Sequence, residues 1–195
     1  YVNWTNGTDY LQRNAYALEE AIKWVNDNKQ PLNGVLQQNV VLGLSMGGVV
    51  ARMALVDLER YGPYPHDTRL YVSLDGPQQG SHIPLGLQAG ARHALKMYLR
   101  TGHYALVAEG IVPVVANGLS ISKALRLLDR PGPKQLLKQQ IDVNYNFNIN
   151  EHEQFLLELR TSWAYPTSTR NIVISNGSEC AIDQEFAAGG NLLYF

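Results

Sequence analysis

Five consecutive residues, Gly43-Leu44-Ser45-Met46-Gly47, hold a serine between two glycines at a spacing that suits nucleophilic chemistry. The preceding run, Asn39-Val40-Val41-Leu42, is apolar and β-branched, as in a buried parallel strand. The residues from Met46 to Arg60 are typical of a helix. A serine on a tight strand-to-helix turn adopts strained backbone angles that lift its hydroxyl above the sheet edge. The pattern therefore predicts that Ser45 is a nucleophile.

The residues around Ser45 have the types that this turn requires. A Cβ at Gly43 or Gly47 is expected to clash, because the two ends of the turn approach each other closely. The backbone N–H of Met46, at the start of the helix, is the expected oxyanion donor. Two other interpretations remain: Ser45 only turns the chain, or the glycines cradle a phosphate. The phosphate interpretation is disfavoured because no Lys-Ser or Lys-Thr pair follows the glycines.

Four segments occur in the same order as in secreted lipase-like α/β-hydrolases of Bacteroidetes-type bacteria, which the chain resembles over nearly its whole length. These segments are residues 9–15, 43–48, 73–80 and 169–177. The resemblance implies a carboxylic ester hydrolase that is secreted or attached to the cell surface, with a small-molecule or lipid ester as substrate. The alternatives are an acyltransferase or thioesterase on the same scaffold, and a non-catalytic secreted binding module that kept the turn.

Asp75 is the first candidate for the carboxylate that orients a catalytic histidine. It lies at the predicted carboxyl end of the strand after the Ser45 helix, where open α/β sheets place their ligands. Pancreatic-type lipases, which are similar here, carry their acid after this strand in a Leu-Asp-Pro setting. Because Asp-Gly-Pro also favours a turn, the alternatives Glu179, Asp183 and an acid outside the chain stay open.

The five histidines do not include one after the third predicted strand, where the resemblance places the base. They are His66, His82, His93, His103 and His152. His82, seven residues after Asp75, is the weak candidate within the chain. We expect that the catalytic histidine and the second oxyanion donor both lie outside these 195 residues, together with further strands at both ends of the sheet.

Strand, helix and strand in this order predict a βαβ unit and a parallel sheet covered by helices. The other predicted strands are residues 69–74 and 170–175, and a helix is predicted over residues 9–28 with Thr8 or Asp9 as its cap. The expected fold class is therefore α/β with a doubly wound, mostly parallel sheet. The resemblance implies that residues 1–195 form one partial α/β-hydrolase domain.

Residues 84–168 form a predicted helical insertion between the second and third strands. Helices are predicted over residues 89–100, 104–128, 132–140 and 151–161, with a loop over residues 144–150. Apolar residues such as Ile111-Val112-Pro113-Val114-Val115-Ala116 suit a movable lid over an acyl-chain site. The alternative is an additional helical layer that packs as core.

The composition excludes several classes of function. The net charge is −1 without a run of like charges, so we expect neither nucleic acid nor an anionic membrane surface as a partner. No apolar stretch approaches the ~20 residues of a membrane span. The single cysteine, Cys180, excludes an internal disulfide. His152-Glu153 does not continue as a zinc motif because Leu156 stands where the second histidine is needed. No metal and no organic cofactor is expected.

Overall fold

The computed structural model describes residues 1–62, 64–101 and 126–175, which form a mixed α/β fold. The helices are α1 (Leu11–Asn28), α2 (Met46–Tyr61), α3 (Leu85–Thr101), α4 (Pro131–Leu136) and α5 (Asn150–Thr161). The strands are β1 (Asn39–Leu44), β2 (Thr68–Leu74), β3 (Gln140–Ile141), β4 (Phe147–Asn148) and β5 (Arg170–Ile174).

The main sheet has three parallel strands in the order β1-β2-β5. Leu44 pairs with Leu74, and Leu74 pairs with Ile174, so the three carboxyl ends are level. These are the three strands predicted from the apolar, β-branched runs, and the prediction of a parallel sheet is confirmed.

Helix α2 packs between the sheet and α1. Its buried face includes Val49, Met53 and Leu55, all fully buried. Helix α1 contributes Leu11 and Ala15, also fully buried, to the same cluster. One apolar core therefore fixes α2, and with it the residue that precedes α2, relative to the sheet.

The opposite face of the sheet is apolar and open. Val40, Leu42 and Leu44 alternate with buried or half-buried neighbours along β1, and they are 48%, 61% and 63% exposed. Among the described residues, helices cover only the α2 face of the sheet. The sheet is thus parallel as predicted, while a second helical layer stays a prediction.

The start of α1 differs from the prediction. The helix begins at Leu11, and neither Thr8 nor Asp9 caps it. The Leu11 N–H instead donates to the Gln135 side-chain oxygen at 2.8 Å, and the Asp9 carboxylate accepts the N–H of Tyr10. A glutamine 124 residues further along the chain therefore satisfies the helix terminus.

Part of the insertion belongs to the main core. Leu136 of α4 and Phe155 and Leu159 of α5 are buried in the cluster that contains Leu11. The α4–α5 part of the insertion is thus an additional core layer. Helix α3 begins at Leu85, four residues before the predicted start.

The end of α4 and the loop after it were predicted wrongly. Helix α4 ends at Leu136 instead of residue 140, because Leu137 forms a parallel bridge with Ser81. The segment 144–150 is not only a loop, since it contains β4, which pairs with β3. The carboxylate of Asp142 accepts the N–H groups of Asn144 and Asn146, and this tight turn brings β3 and β4 together.

Several sequence-based predictions lie outside the described residues. They are the alternative acids Glu179 and Asp183, His103, Cys180, the run 111–116 and most of the predicted helix 104–128. Within the described ranges, no helix has the length and apolar character needed to cross a membrane. The same ranges contain no group of three or more His, Cys, Asp or Glu side chains arranged to hold a metal ion.

Candidate active site

Ser45 has an unusual backbone conformation between β1 and α2. Its φ is 51° and its ψ is −128°, a combination that a residue with a side chain rarely adopts. Such strain persists only where the surrounding structure enforces it, and it clusters at functional sites. Ser45 occupies the N-cap position, but its side chain makes no capping hydrogen bond, and the residue is exposed. The Ser45 hydroxyl therefore does not cap the start of α2.

The glycines around Ser45 have unequal roles. A Cβ at Gly43 would lie 2.3 Å from the Gly47 carbonyl oxygen, so the expected clash exists at this position. A Cβ at Gly47 would meet nothing within 4 Å among the described residues, so the predicted clash at Gly47 is wrong. The second close approach is at Gly48, where a Cβ would lie 2.4 Å from the Ser73 hydroxyl oxygen. Gly43 and Gly48 are thus the positions where the turn requires glycine.

Asp75 lies beside Ser45 at the carboxyl edge of the sheet. The Ser45 N–H donates to the Leu74 carbonyl at 2.8 Å, and the Asp75 N–H donates to the Ile174 carbonyl at 2.6 Å. The two residues therefore continue the β1–β2 register, in which neighbouring strands are about 4.8 Å apart. Asp75 also has a positive φ, 50°, and is exposed. The fold therefore places the two predicted catalytic residues, Ser45 and Asp75, at the same edge of the sheet.

Met46 is the first residue of α2, directly after Ser45. The first N–H groups of a helix have no acceptor within the helix, and they carry the positive end of its dipole. A Cβ added at Gly132 of α4 would lie 3.5 Å from the Met46 sulfur, so α4 borders this side of the site. The backbone of Met46 can therefore donate to an oxyanion formed next to Ser45.

A second serine has a histidine and a carboxylate as neighbours, but at the opposite edge of the sheet. Ser168 Oγ lies 3.0 Å from His66 Nε2 and donates to Glu59 at 2.6 Å. His66 Nδ1 accepts the Thr68 N–H, so the neutral ring carries its hydrogen on Nε2 and cannot take a proton from Ser168. Burial raises the pKa of Glu59, but hydrogen bonds from Ser168, Thr167 and His66 outweigh it and lower the pKa to about 2. This cluster ties β5 to α2 and is structural.

The other described histidines do not contact Ser45 either. His82 Nε2 lies 3.3 Å from the Gln139 side-chain oxygen, and His93 is exposed on α3. His152 is buried, and its Nδ1 lies 2.8 Å from the Gln135 carbonyl oxygen. The ring of His152 packs against Gly80, where a Cβ would lie 2.3 Å from it. Among the described residues, no imidazole is hydrogen-bonded to the Ser45 hydroxyl.

Sequence reasoning missed a buried polar network beneath the turn. Arg52 is 5% exposed in the otherwise apolar middle of α2, and it donates to the Gln78 side chain at 3.2 Å. Gln78 donates in turn to Tyr71 and Ser73, at 2.9 Å each. The one signal in the sequence was an arginine inside the apolar run Val49-Val50-Ala51-Arg52-Met53-Ala54-Leu55.

A groove of about 540 Å³ lies between the start of α1, α4 and α5. Side chains of both charges line it, including Arg13, Lys134, Glu151 and Glu158. Neither Ser45 nor Asp75 is part of its lining. Because charged side chains line the groove and Ser45 does not, it does not correspond to the acyl-chain slot expected from the sequence.

Comparison with protein-family models, with characterised proteins and with solved structures gives no match to this chain.

Proposed function

We propose that the chain is part of a serine hydrolase of carboxylic esters with an α/β-hydrolase fold. The observation that carries the proposal is the backbone of Ser45, whose φ of 51° and ψ of −128° hold an exposed, non-capping serine at the carboxyl edge of a parallel sheet. The lack of space for a Cβ at Gly43 supports the proposal, because it is a consequence of a tight turn. The apolar outer face of β1 supports a doubly wound sheet, since parallel sheets bury both faces.

In the proposed reaction, Ser45 Oγ attacks the carbonyl carbon of the ester while its proton passes to a histidine. The Met46 N–H donates to the oxyanion of the tetrahedral intermediate. The bond between the carbonyl carbon and the alcohol oxygen then breaks, and the alcohol leaves with the proton from the histidine. Water attacks the acyl-enzyme in the same manner, which releases the acid and restores the serine.

Asp75 is the proposed carboxylate that orients this histidine, because it continues the register next to Ser45. The proton acceptor itself lies outside the described residues, since the rings of His66, His82 and His152 are near other partners. The second oxyanion donor is likewise proposed to lie outside the described residues. We also propose, from the resemblance alone, that the protein is secreted or attached to the cell surface.

The test compares two serines of the same chain. Turnover of p-nitrophenyl esters is measured for the whole protein of which this chain is proposed to be part, and for its Ser45→Ala and Ser168→Ala variants. We expect Ser45→Ala to lower kcat by about 10³-fold or more, as loss of a nucleophile does. Ser168→Ala should keep its activity, because the His66 ring cannot accept the Ser168 proton. Equal activity of wild type and Ser45→Ala would overturn the proposal.

Two additions to this assay separate the alternative functions. An added alcohol or thiol that captures most of the acyl group indicates a transferase, whereas release of the free acid indicates a hydrolase. A series of acyl chain lengths tests the lid: if the rate does not change along the series, no part of residues 84–168 covers the acyl chain. If the whole wild-type protein shows no Ser45-dependent turnover, a binding module is favoured.

A further inference from the structure

Gln78 lies at the centre of the buried network beneath Ser45 and Asp75. It is 8% exposed, and its side-chain nitrogen donates to the Tyr71 hydroxyl and to the Ser73 hydroxyl. Its side-chain oxygen accepts from Arg52. Because a guanidinium group only donates, this last bond fixes the orientation of the amide, and both amide hydrogens are engaged.

The network reaches the turn through two hydroxyl groups. The Tyr71 hydroxyl donates to the Gly48 carbonyl at 2.5 Å, and burial raises the pKa of Tyr71 to about 12, so the phenol keeps its proton. The Ser73 hydroxyl lies between two glycines, since a Cβ would come within 2.4 Å of it at Gly48 and within 2.3 Å at Gly76. The Ser45 turn and the Asp75 turn are thus both packed against hydroxyl groups that accept hydrogen bonds from Gln78.

The Ser45 turn and the Asp75 turn also lie close to each other. A Cβ at Gly76 would lie 3.3 Å from the carbonyl oxygen of Ser45, and Gly76 is the residue after Asp75. The Gly48 N–H donates to that same Ser45 carbonyl at 2.9 Å. A shift of the Ser73 hydroxyl would therefore move Ser45 and Asp75 relative to each other.

Arg52 anchors the network to the segment after α5. Its guanidinium donates to the carbonyl groups of Leu159, Trp163 and Ala164, at 3.1, 2.8 and 3.1 Å. It also lies 4.1 Å from the centre of the Tyr165 ring. A connected buried network of this kind is rigid, because each bond restricts the others.

We propose that Gln78 is a positioning residue, which holds the Ser45 turn against the Asp75 turn through Tyr71 and Ser73. The inference rests on the proposed function, because its consequence is the geometry of the nucleophile relative to the acid. Gln78 does not touch the reacting atoms. Its loss should affect the chemical step more than substrate binding.

The test uses two buried glutamines of the same chain. Gln78→Met removes three hydrogen bonds at nearly constant volume. Gln88→Met is the matched control: Gln88 is 1% exposed, donates to the carbonyls of Ile83 and Gln139, and accepts the Ile141 N–H. None of these partners adjoins Ser45 or Asp75. Steady-state ester hydrolysis and Tm are measured for both variants.

We expect Gln78→Met to lower kcat about 10- to 100-fold, because a misplacement of about 1 Å costs up to 10²-fold in rate. KM should change by less than about threefold, since ground-state binding is retained. Gln88→Met should keep kcat within about twofold at a similar loss of Tm, because sites without shared partners act independently. Tyr71→Phe, which removes only a hydroxyl, should lower kcat in the same direction as Gln78→Met and decides the matter if Gln78→Met does not fold.

Equal kcat for Gln78→Met and Gln88→Met, or an unchanged kcat in Tyr71→Phe, would overturn the positioning role. If wild type still shows turnover that depends on Ser45, the proposed function survives that result. A whole wild-type protein without Ser45-dependent turnover would overturn both proposals together.

Discussion

Replacing Gly43 with alanine should damage the turn that holds Ser45. The added Cβ would lie 2.3 Å from the Gly47 carbonyl oxygen and 2.5 Å from the Gly48 nitrogen, and both of these atoms belong to the backbone. Backbone cannot rotate away as a side chain does, so the turn must open by about 0.7 Å or more to reach a tolerable contact. Overpacking of this kind costs about 1–3 kcal/mol in the free energy of unfolding.

The displacement also bears on activity. Ser45 lies between the two clashing segments, so it moves by a similar distance, and we expect kcat for ester hydrolysis to fall about 10- to 100-fold. Urea denaturation gives the stability of the variant, and turnover of a p-nitrophenyl ester gives the activity of the folded fraction.

Gly47→Ala is the control for stability. A Cβ at Gly47 meets nothing within 4 Å among the described residues, and Gly47 lies in the first turn of α2. Alanine is the better helix former, so this variant should gain about 0.5 kcal/mol in the free energy of unfolding. Opposite signs for the two alanine variants are the expected result. A Gly43→Ala variant as stable and as active as wild type would refute the steric argument.

Three further substitutions test the charges and caps around the core. Burial, aided by the Asp57 carboxylate, raises the pKa of Glu19 from 4.5 to about 7, so the stability from this group is present below pH 4.5 and is lost as pH rises through 7. Glu19→Gln should therefore raise the free energy of unfolding at pH 8 by about 1–2 kcal/mol, a value reduced for solvent contact, and an unchanged urea midpoint would contradict this. The pKa of Glu59 is lowered to about 2, so its stability is present above pH 4.5 and is lost as pH falls through 2. Glu59→Gln should cost about 2 kcal/mol at pH 7 and little at pH 2, measured by urea denaturation at both values. Gln135→Leu removes the acceptor for the first N–H of α1 and should lower the free energy of unfolding by about 1 kcal/mol. A Tm equal to that of wild type would exclude Gln135 as a stabilising cap of α1.

The local sequence predicts those elements whose signal is periodic and continuous. The runs around Val40, Leu70 and Ile172 became strands within two residues of the predicted bounds at either end, because β-branched residues favour the extended backbone of a strand. The burial that these runs predicted is found on the α2 face of the sheet, while the other face is exposed among the described residues. Helix α2 begins directly after Ser45, as the glycine spacing predicts. Strands β3 and β4, of two residues each, are too short to carry a period, and the side-chain turn at Asp142 creates them.

Contacts between distant residues could not be predicted. The cap of Leu11 comes from Gln135, which no local rule connects to the start of α1. The clash predicted at Gly47 occurs at Gly48 instead, because the Ser73 hydroxyl, from the neighbouring strand, fills that space. Gln78 follows the predicted strand 69–74 in the sequence, and only the fold brings it to Tyr71.

The reactivity of the Ser45 hydroxyl distinguishes a nucleophile from a serine that only turns the chain. The whole protein is treated with a fluorophosphonate probe at pH 8, digested, and the modified residue is located by mass spectrometry. We expect a single adduct on Ser45, with Ser168 unmodified and with no labelling after Ser45→Ala. An adduct on Ser168, or a folded wild-type protein that takes up no probe, would contradict the role of Ser45 as the nucleophile.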